Sequence, residues 1–153
     1  PCRLVEDVAG LARHEAEARG IELRLVLDPE VPELHLDRSG IKQVLWNLLG
    51  NAIDAQGPGG AIEVRCRWEA PNGSAGGGAL VLEVEDRGPG IPDELLPRIF
   101  EPFFTTKEVG QGTGLGLAVA YSVVRSHDGR IEVENLPAGG CVFRITLPEG
   151  ERT

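Results

Sequence analysis

The 153-residue chain has the size of a single domain with a substantial core, and its formal net charge of −9 argues against nucleic-acid binding, which normally needs a basic face. Its three cysteines form no Cys-x-x-Cys pair, and no apolar run reaches the ~20 residues of a membrane span, so we expect no disulfide framework, no zinc site, no membrane contact and a cytoplasmic setting. A chain that begins at Pro1 and contains no Met is expected to be part of a longer protein.

The first half of the chain predicts two helices and a strand. The first helix has apolar residues at helical spacing, at Leu4, Val8 and Leu11. Residues 21–27 alternate as a strand does. Asp37 is the predicted N-cap of a second helix, whose apolar residues recur at helical spacing until Gly57.

The second half predicts two hairpins separated by a long connection and an apolar helix. The first hairpin pairs residues 61–68 with 79–86 across a flexible loop at 70–78, and the last one pairs 130–135 with 141–147. Hairpins combined with helices on one face predict a two-layer α+β sandwich instead of an alternating parallel sheet.

A glycine run, Gly112-Thr113-Gly114-Leu115-Gly116-Leu117, opens the apolar helix. Helix N-termini carry unpaired N–H groups and partial positive charge, and glycines let an anion approach the backbone closely. The run therefore predicts a phosphate site. A flexible hinge, or close packing against a strand, is the alternative.

One stripe of the second helix is polar, and it consists of Gln43, Asn47, Asn51 and Asp54. Asn is a poor helix former, so two of them four residues apart suggest that they orient a ligand or a hydrated metal; plain solvation is the alternative. Asn51 is the candidate magnesium ligand, because Mg²⁺ keeps several waters and needs few protein ligands.

Asp86 ends a strand on the face that carries core residues, and an unpaired buried carboxylate would be costly. The following Gly88-Pro89-Gly90 bends the chain and leaves space beside Asp86, which a ligand amine would suit. The alternative is an Asp that only caps the turn.

The long connection holds three of the four phenylalanines, in the segment PRIFEPFFTTK that ends at Lys107. Long loops in compact domains are commonly functional lids, so residues 92–113 are a predicted lid whose Lys107 reaches a phosphate. The alternative is a small satellite core under the loop.

Four segments, QVLWNLLGNAIDA, DRGPGI, IFEPFFTTK and GTGLGLAV, resemble in order the N, G1, F and G2 boxes of the ATP-binding catalytic domain of two-component sensor histidine kinases. The resemblance covers residues 4–147. It implies the Bergerat fold of gyrase, the heat-shock chaperone ATPase and MutL, with a mixed, mostly antiparallel sheet and about three helices on one face.

By position, the resemblance implies a site for ATP and Mg²⁺. Asn51 would hold the metal, Asp86 would bind the adenine amino group, and Asn47 and Lys107 would serve the transfer step. The remaining nucleotide-binding positions would shape the adenine pocket or meet the phosphates: Gly88, Gly90, Ile91, Gly112, Thr113, Gly114, Leu115 and Gly116.

Two departures from the family pattern stand out. Asp54 and Ala55 occupy positions where many members carry Lys and Tyr. The acceptor motif, His-Glu followed closely by Pro, is also missing, since His14-Glu15 continues as AEARG. The substrate histidine is therefore expected on a dimerisation domain elsewhere in the protein, which would act as a homodimer and pass phosphate to a response regulator; this domain alone would be a monomer.

Other functions remain alternatives. An ATP-hydrolysing machine of the gyrase kind, a serine kinase or a mitochondrial dehydrogenase kinase would carry a Glu where this chain has Asn47. A noncatalytic nucleotide sensor could lose Asn51 and the glycine run, which are both present. A Rossmann domain would place its glycine motif directly after a strand.

Overall fold

The computed structural model describes residues 1–71, 76–104 and 114–150. The helices in these ranges are α1 (Cys2–Ala18), α2 (Arg38–Gln56) and α3 (Gly116–Ser126), with a short 3₁₀ turn at Leu96–Arg98. The strands are β1 (Glu22–Leu27), β2 (Ala61–Glu69), β3 (Ala79–Glu85), β4 (Arg130–Asn135) and β5 (Cys141–Pro148). These elements match the predicted ones to within a few residues, although α3 begins only at the end of the glycine run.

The described strands form one mixed sheet in the order β1-β2-β3-β5-β4. β1 runs parallel to β2, and the other neighbouring pairs are antiparallel. Both predicted hairpins, β2–β3 and β4–β5, are present. The helices pack on one face of this sheet, so the predicted two-layer α+β architecture is confirmed.

Helix α2 lies in the middle of the helical layer, between α1 and α3. Its start is fixed as predicted, because the Asp37 carboxylate accepts a hydrogen bond from the Gly40 N–H at 3.0 Å. It ends at Gly57, whose φ of +67° favours glycine. Its apolar face is buried: Ile41, Val44, Leu45, Leu48, Leu49, Ala52 and Ile53.

The predicted apolar face of α1 is wrong at Leu11, whose exposed fraction is 69%. The buried face is instead Leu4, Val5, Val8, Ala9, Ala12 and Ala16. The alanines on this face need no large partner volume and let α1 approach its neighbours closely, so the helix turns its alanine side inward and Leu11 outward.

Histidine side chains are structural or exposed in this fold. His14 is exposed on α1, and His35 is also exposed. At the C-terminal end of α3, the His127 Nε2 accepts a hydrogen bond from the Asp37 N–H at 3.2 Å. His127 thereby ties α3 to the start of α2.

The described chain contains no helix that is long and apolar enough to cross a membrane. Its three cysteines are free thiols, and the Sγ atoms of Cys2 and Cys66 lie 3.7 Å apart.

The sheet face opposite the helices carries a buried carboxylate, Glu83, which is only 5% exposed. Its Oε1 accepts a hydrogen bond from the Arg144 Nε at 2.6 Å, and guanidinium groups of Arg65 and Arg67 lie within 4 Å. Burial acts to raise the pKa of Glu83, but the hydrogen bond and charge of Arg144, with the charges of Arg67 and Arg65, outweigh it and hold this pKa below its usual value.

We expect Glu83→Gln to lower the free energy of unfolding at pH 7 by about 1–3 kcal/mol, because three arginines lose their shared anion. A depressed pKa in the folded state contributes stability above the unfolded pKa and loses it as pH falls through the folded value. The difference between variant and wild type should therefore begin to shrink as pH falls below the ordinary carboxyl pKa of 4.5, and it should disappear only below the lower pKa of the folded state. Urea unfolding at pH 7 and pH 3 measures this difference in the free energy of unfolding, and Glu17→Gln, a substitution of an exposed residue, is the control. An equal loss of stability at both pH values would contradict the ionic explanation.

Candidate functional site

A cavity of about 570 Å³ lies between α2, the end of the sheet and the start of α3. We call it the Asp86 cavity. Six of the predicted site residues line it: Asn51, Asp86, Gly90, Ile91, Gly114 and Gly116. The sequence places these residues in three separate motifs, and the fold brings them together around one cavity.

Asp86 follows β3 and is 2% exposed, so its carboxylate points to the core side as predicted. Its Oδ1 accepts a hydrogen bond from the Gly88 N–H at 2.9 Å. The thiol of Cys141 donates to its Oδ2 at 3.3 Å. Asp86 therefore caps the following turn, as the alternative interpretation has it, and its carboxylate also lines the cavity.

The turn after Asp86 depends on glycine at two positions. A Cβ on Gly88 would collide with the backbone carbonyl group of Ala55 at the end of α2, so only glycine allows this close approach. Gly90 has a φ of +78°, a conformation that other residues rarely adopt. These glycines hold one cavity wall against α2 and leave space open beside Asp86.

Asn135, at the end of β4, holds the backbone of Ile91 on the cavity wall. Its Oδ1 accepts from the Ile91 N–H at 2.9 Å, and its Nδ2 donates to the Ile91 carbonyl oxygen at 2.6 Å. The sequence analysis missed Asn135, because nothing in the local sequence links it to a turn 44 residues earlier.

The polar stripe of α2 divides into different environments. Asn51 is half-buried and lines the cavity, whereas Gln43 is exposed. Asp54 lies at the rim and forms an ion pair with Arg19 at 3.2 Å. Asn47 does not line the cavity; its Nδ2 donates to the carbonyl oxygen of Gly116 at 3.0 Å and so joins α2 to the first residue of α3.

The start of α3 faces the cavity through Gly114 and Gly116. Gly114 has a φ of +69°, and its carbonyl oxygen accepts a hydrogen bond from the Phe103 N–H at 2.8 Å. Leu115 takes the N-cap position and is exposed. Three other predicted residues, Lys107, Gly112 and Thr113, lie outside the described residues, as does most of the later part of the predicted lid.

The described part of the long connection contains a small apolar cluster. Ile99 is buried and lines the cavity, and the Phe100 ring lies 5.7 Å from that of Tyr121 and 6.4 Å from that of Phe143, centroid to centroid. Phe103, in contrast, is 75% exposed. Ile99 and Phe100 thus form the small core under the loop that was the alternative to a lid. Their side chains pack this segment against α3 and β5.

Two further cavity features were missed by the sequence analysis. Cys141 contributes its thiol beside Asp86, and Phe143 lies two residues further along the same strand. A signal existed, because alternation along the predicted strand 141–147 places both residues on its inner face. The pairing of β5 with β3, which brings them to Asp86, cannot be read from that alternation.

The cavity combines apolar walls with a few polar groups. Its side-chain acceptors include the Asp86 carboxylate, the Asn51 amide oxygen and, at the rim, the Asp54 carboxylate, and the N-terminus of α3 supplies partial positive charge. Among the described residues, no group of three or more His, Cys, Asp or Glu side chains could hold a metal ion. The arrangement suits a ligand with an apolar ring, a hydrogen-bond donor and an anionic end.

The family model described as histidine kinase-, DNA gyrase B-, and HSP90-like ATPase matches residues 36–151. The chain belongs to this family. Among curated proteins, it is 36% identical to the sensor protein FixL of Bradyrhizobium diazoefficiens, over 97% of this chain and 28% of FixL. It is 39% identical to the sensor histidine kinase ZraS of Escherichia coli O157:H7, over 95% of this chain and 30% of ZraS.

Solved structures give the same assignment. The catalytic domain of histidine kinase ThkA superposes with a TM-score of 0.81 at 36% identity, covering 96% of this chain and 91% of that one. Full-length ShkA in complex with AMPPNP superposes with a TM-score of 0.79 at 29% identity, covering 95% of this chain and 29% of ShkA. The fold is that of histidine kinase catalytic domains, and the chain spans less than a third of the length of FixL and ZraS.

Proposed function

We propose that this domain binds Mg-ATP in the Asp86 cavity and donates the γ-phosphate to a histidine on a separate dimerisation domain. The observation that carries the proposal is the buried Asp86 carboxylate on the wall of a cavity that Asn51 and the start of α3 also line. The similarity to ShkA, which was solved with AMPPNP, supports an adenine nucleotide as the ligand.

The adenine would occupy the end of the cavity at Asp86. A carboxylate accepts hydrogen bonds only, so it selects a ring that presents an amine and disfavours one that presents a carbonyl group there. Apolar contacts from Ile91 and Ile99 suit the faces of a planar base. GTP should therefore bind more weakly than ATP.

The phosphates would lie towards α3. The N–H groups of its first turn are unpaired within the helix, and the helix dipole favours an anion at this end. Gly114 and Gly116 place no side chain between the backbone and the cavity, and Gly112, Thr113, Leu115 and Lys107 are proposed to complete the phosphate contacts.

The donor set fits Mg²⁺ only when nucleotide phosphates share it. The amide oxygen of Asn51 is a hard oxygen ligand on the cavity wall, and Mg²⁺ ordinarily combines one or two protein ligands with waters and phosphates. Bound Mg²⁺ would neutralise the charge that develops on the transferred phosphate. Asn51 would hold the metal ion, and with it the positive charge, close to α3.

Asn47 favours transfer over hydrolysis. An amide cannot accept a proton as a carboxylate does, and its Nδ2 is already engaged by the Gly116 carbonyl oxygen at 3.0 Å. We propose that Asn47 acts by holding the phosphate-binding start of α3 against α2. Catalysis would then consist mainly of positioning and charge neutralisation, with the acceptor histidine, a response regulator and the homodimer supplied by the whole protein.

The binding proposal is tested with Asn51→Ala. We expect this variant to keep adenosine affinity within about twofold but to lose the gain in ATP affinity that Mg²⁺ produces, because the amide acts on the metal and not on the base. Calorimetric titration with ATP, with and without Mg²⁺, and with adenosine measures both effects.

Gln43→Ala is the matched control, since it removes an exposed amide two turns earlier on the same stripe. It should retain the full gain from Mg²⁺. A magnesium-dependent gain in Asn51→Ala equal to that of the wild type would refute the metal role. The transfer step itself would appear as acid-labile phosphate on a supplied acceptor domain.

A further inference from the structure

Two of the three thiols meet where the start of α1 packs against the sheet. The Cys2 Sγ lies 3.7 Å from the Cys66 Sγ, although the two residues are 64 positions apart in the sequence. Both also contact Asp28, which follows β1. The Cys2 thiol donates to the Asp28 carbonyl oxygen at 3.5 Å, and the Asp28 N–H donates to the Cys66 carbonyl oxygen at 2.8 Å. Hydrogen bonds to one residue therefore hold the two cysteines side by side.

The two thiols differ in how far solvent can reach them. Cys2 is half-buried, whereas Cys66, in the middle of β2, has an exposed fraction of 0%. Burial, followed by the charge and the hydrogen bond of Cys2, raises the pKa of Cys66 to about 12, so this group stays a thiol at neutral pH. A dissolved oxidant would therefore react with Cys2 first, and Cys66 would be the second partner.

A disulfide between these residues needs only a short movement. An S–S bond is about 2.05 Å long, so the two sulfur atoms must approach each other by roughly 1.7 Å. Side-chain rotation of Cys2 supplies a movement of this size without any change in strand pairing. The third thiol does not compete, because Cys141 is buried and its thiol donates to the Asp86 carboxylate at 3.3 Å.

We propose that Cys2 and Cys66 are an oxidation site, at which hydrogen peroxide produces a disulfide that ties the start of α1 to β2. In the first step the Cys2 thiolate attacks a peroxide oxygen and the O–O bond breaks. Hydroxide leaves and becomes water with the proton that Cys2 released, and Cys2 becomes a sulfenic acid. In the second step the Cys66 Sγ attacks the Cys2 Sγ, the S–O bond breaks, and the hydroxyl group leaves as water with the Cys66 proton. Two thiols and one peroxide thus give one disulfide and two waters.

The test treats the folded chain with hydrogen peroxide and maps its cysteines by mass spectrometry. We expect a Cys2–Cys66 link within one chain, with the mass of two hydrogen atoms lost and Cys141 still a free thiol. Closing this 64-residue loop should raise the Tm by about 5–10 °C, and dithiothreitol should reverse the rise. In urea the three thiols should pair without this preference, because the fold no longer holds Cys2 beside Cys66.

Two variants test the order of the steps. Cys66→Ala should leave a sulfenic acid on Cys2, which a cyclic dione traps, and Cys2→Ser should leave the buried Cys66 unmodified. The link itself is read from the wild type and needs neither variant. Wild-type Cys2 that stays reduced, proceeds to sulfinic acid or pairs between two chains would overturn the proposal. Neither residue lines the Asp86 cavity, so a failure to bind ATP would refute the proposed function and leave the disulfide untouched.

Discussion

Asp86→Asn should weaken ATP binding by about 10- to 150-fold. A hydrogen bond to a charged group contributes ~1.5–3 kcal/mol, and the substitution removes both the charge and one acceptor from a group that is 2% exposed. Asn keeps an oxygen that can accept from the Gly88 N–H, so the turn should survive. Calorimetric titration with ATP and with adenosine measures the loss, and both ligands should lose similarly because the contact is with the base.

Asp54→Asn is the matched control for charge. It makes the same change at the cavity rim, where Asp54 is exposed and pairs with Arg19. It should not weaken ATP binding. Thermal unfolding checks that Asp86→Asn is folded, and an affinity within twofold of wild type in a folded variant would show that Asp86 does not bind the base.

Much of the fold was predictable, because the local spacing of apolar residues indicates its helices and strands. Helix α2 shows this best, since both its Asp37 cap and its end at Gly57 are local features. The two hairpins follow from alternation and the turns between their strands. Leu11 shows the limit: periodicity admits more than one apolar face, and packing of the alanines against neighbouring elements decides between them.

The candidate site was predictable where one residue carries its own local signal. Asp86 is such a residue, as a carboxylate on the core face of a strand followed by a glycine turn. Asn135 carries no such signal, and the alternation that places Cys141 on the inner face of its strand does not reveal its contact with Asp86, because the partners of these residues lie 44 and 55 positions away. The contact of Asn47 with Gly116 also joins two elements distant in sequence. These residues become visible only once strand order and helix packing are known.

Phosphotransfer should depend entirely on an added acceptor domain. Incubated alone with radiolabelled Mg-ATP, the chain should incorporate no phosphate and hydrolyse ATP only very slowly, because Asn47 cannot act as a general base and His14 has no acceptor motif. When the proposed dimerisation domain is supplied, fused or in trans, label should appear on that domain's histidine. The expected rate comes mainly from holding the γ-phosphate of ATP and the acceptor histidine in reacting geometry.

The chemistry of the product decides between the related functions. Phosphohistidine is lost in acid, whereas phosphoserine and phosphothreonine survive it, so label is measured before and after acid treatment. His14→Gln is the control within this chain and should leave transfer unchanged, since His14 is an exposed residue on α1. At ATP concentrations near the dissociation constant of the wild type, Asp86→Asn should largely remove the labelling, because the variant then binds little ATP. Fast steady turnover of ATP by the chain alone would favour a gyrase-like ATPase, and acid-stable phosphate on an added protein would favour a serine kinase.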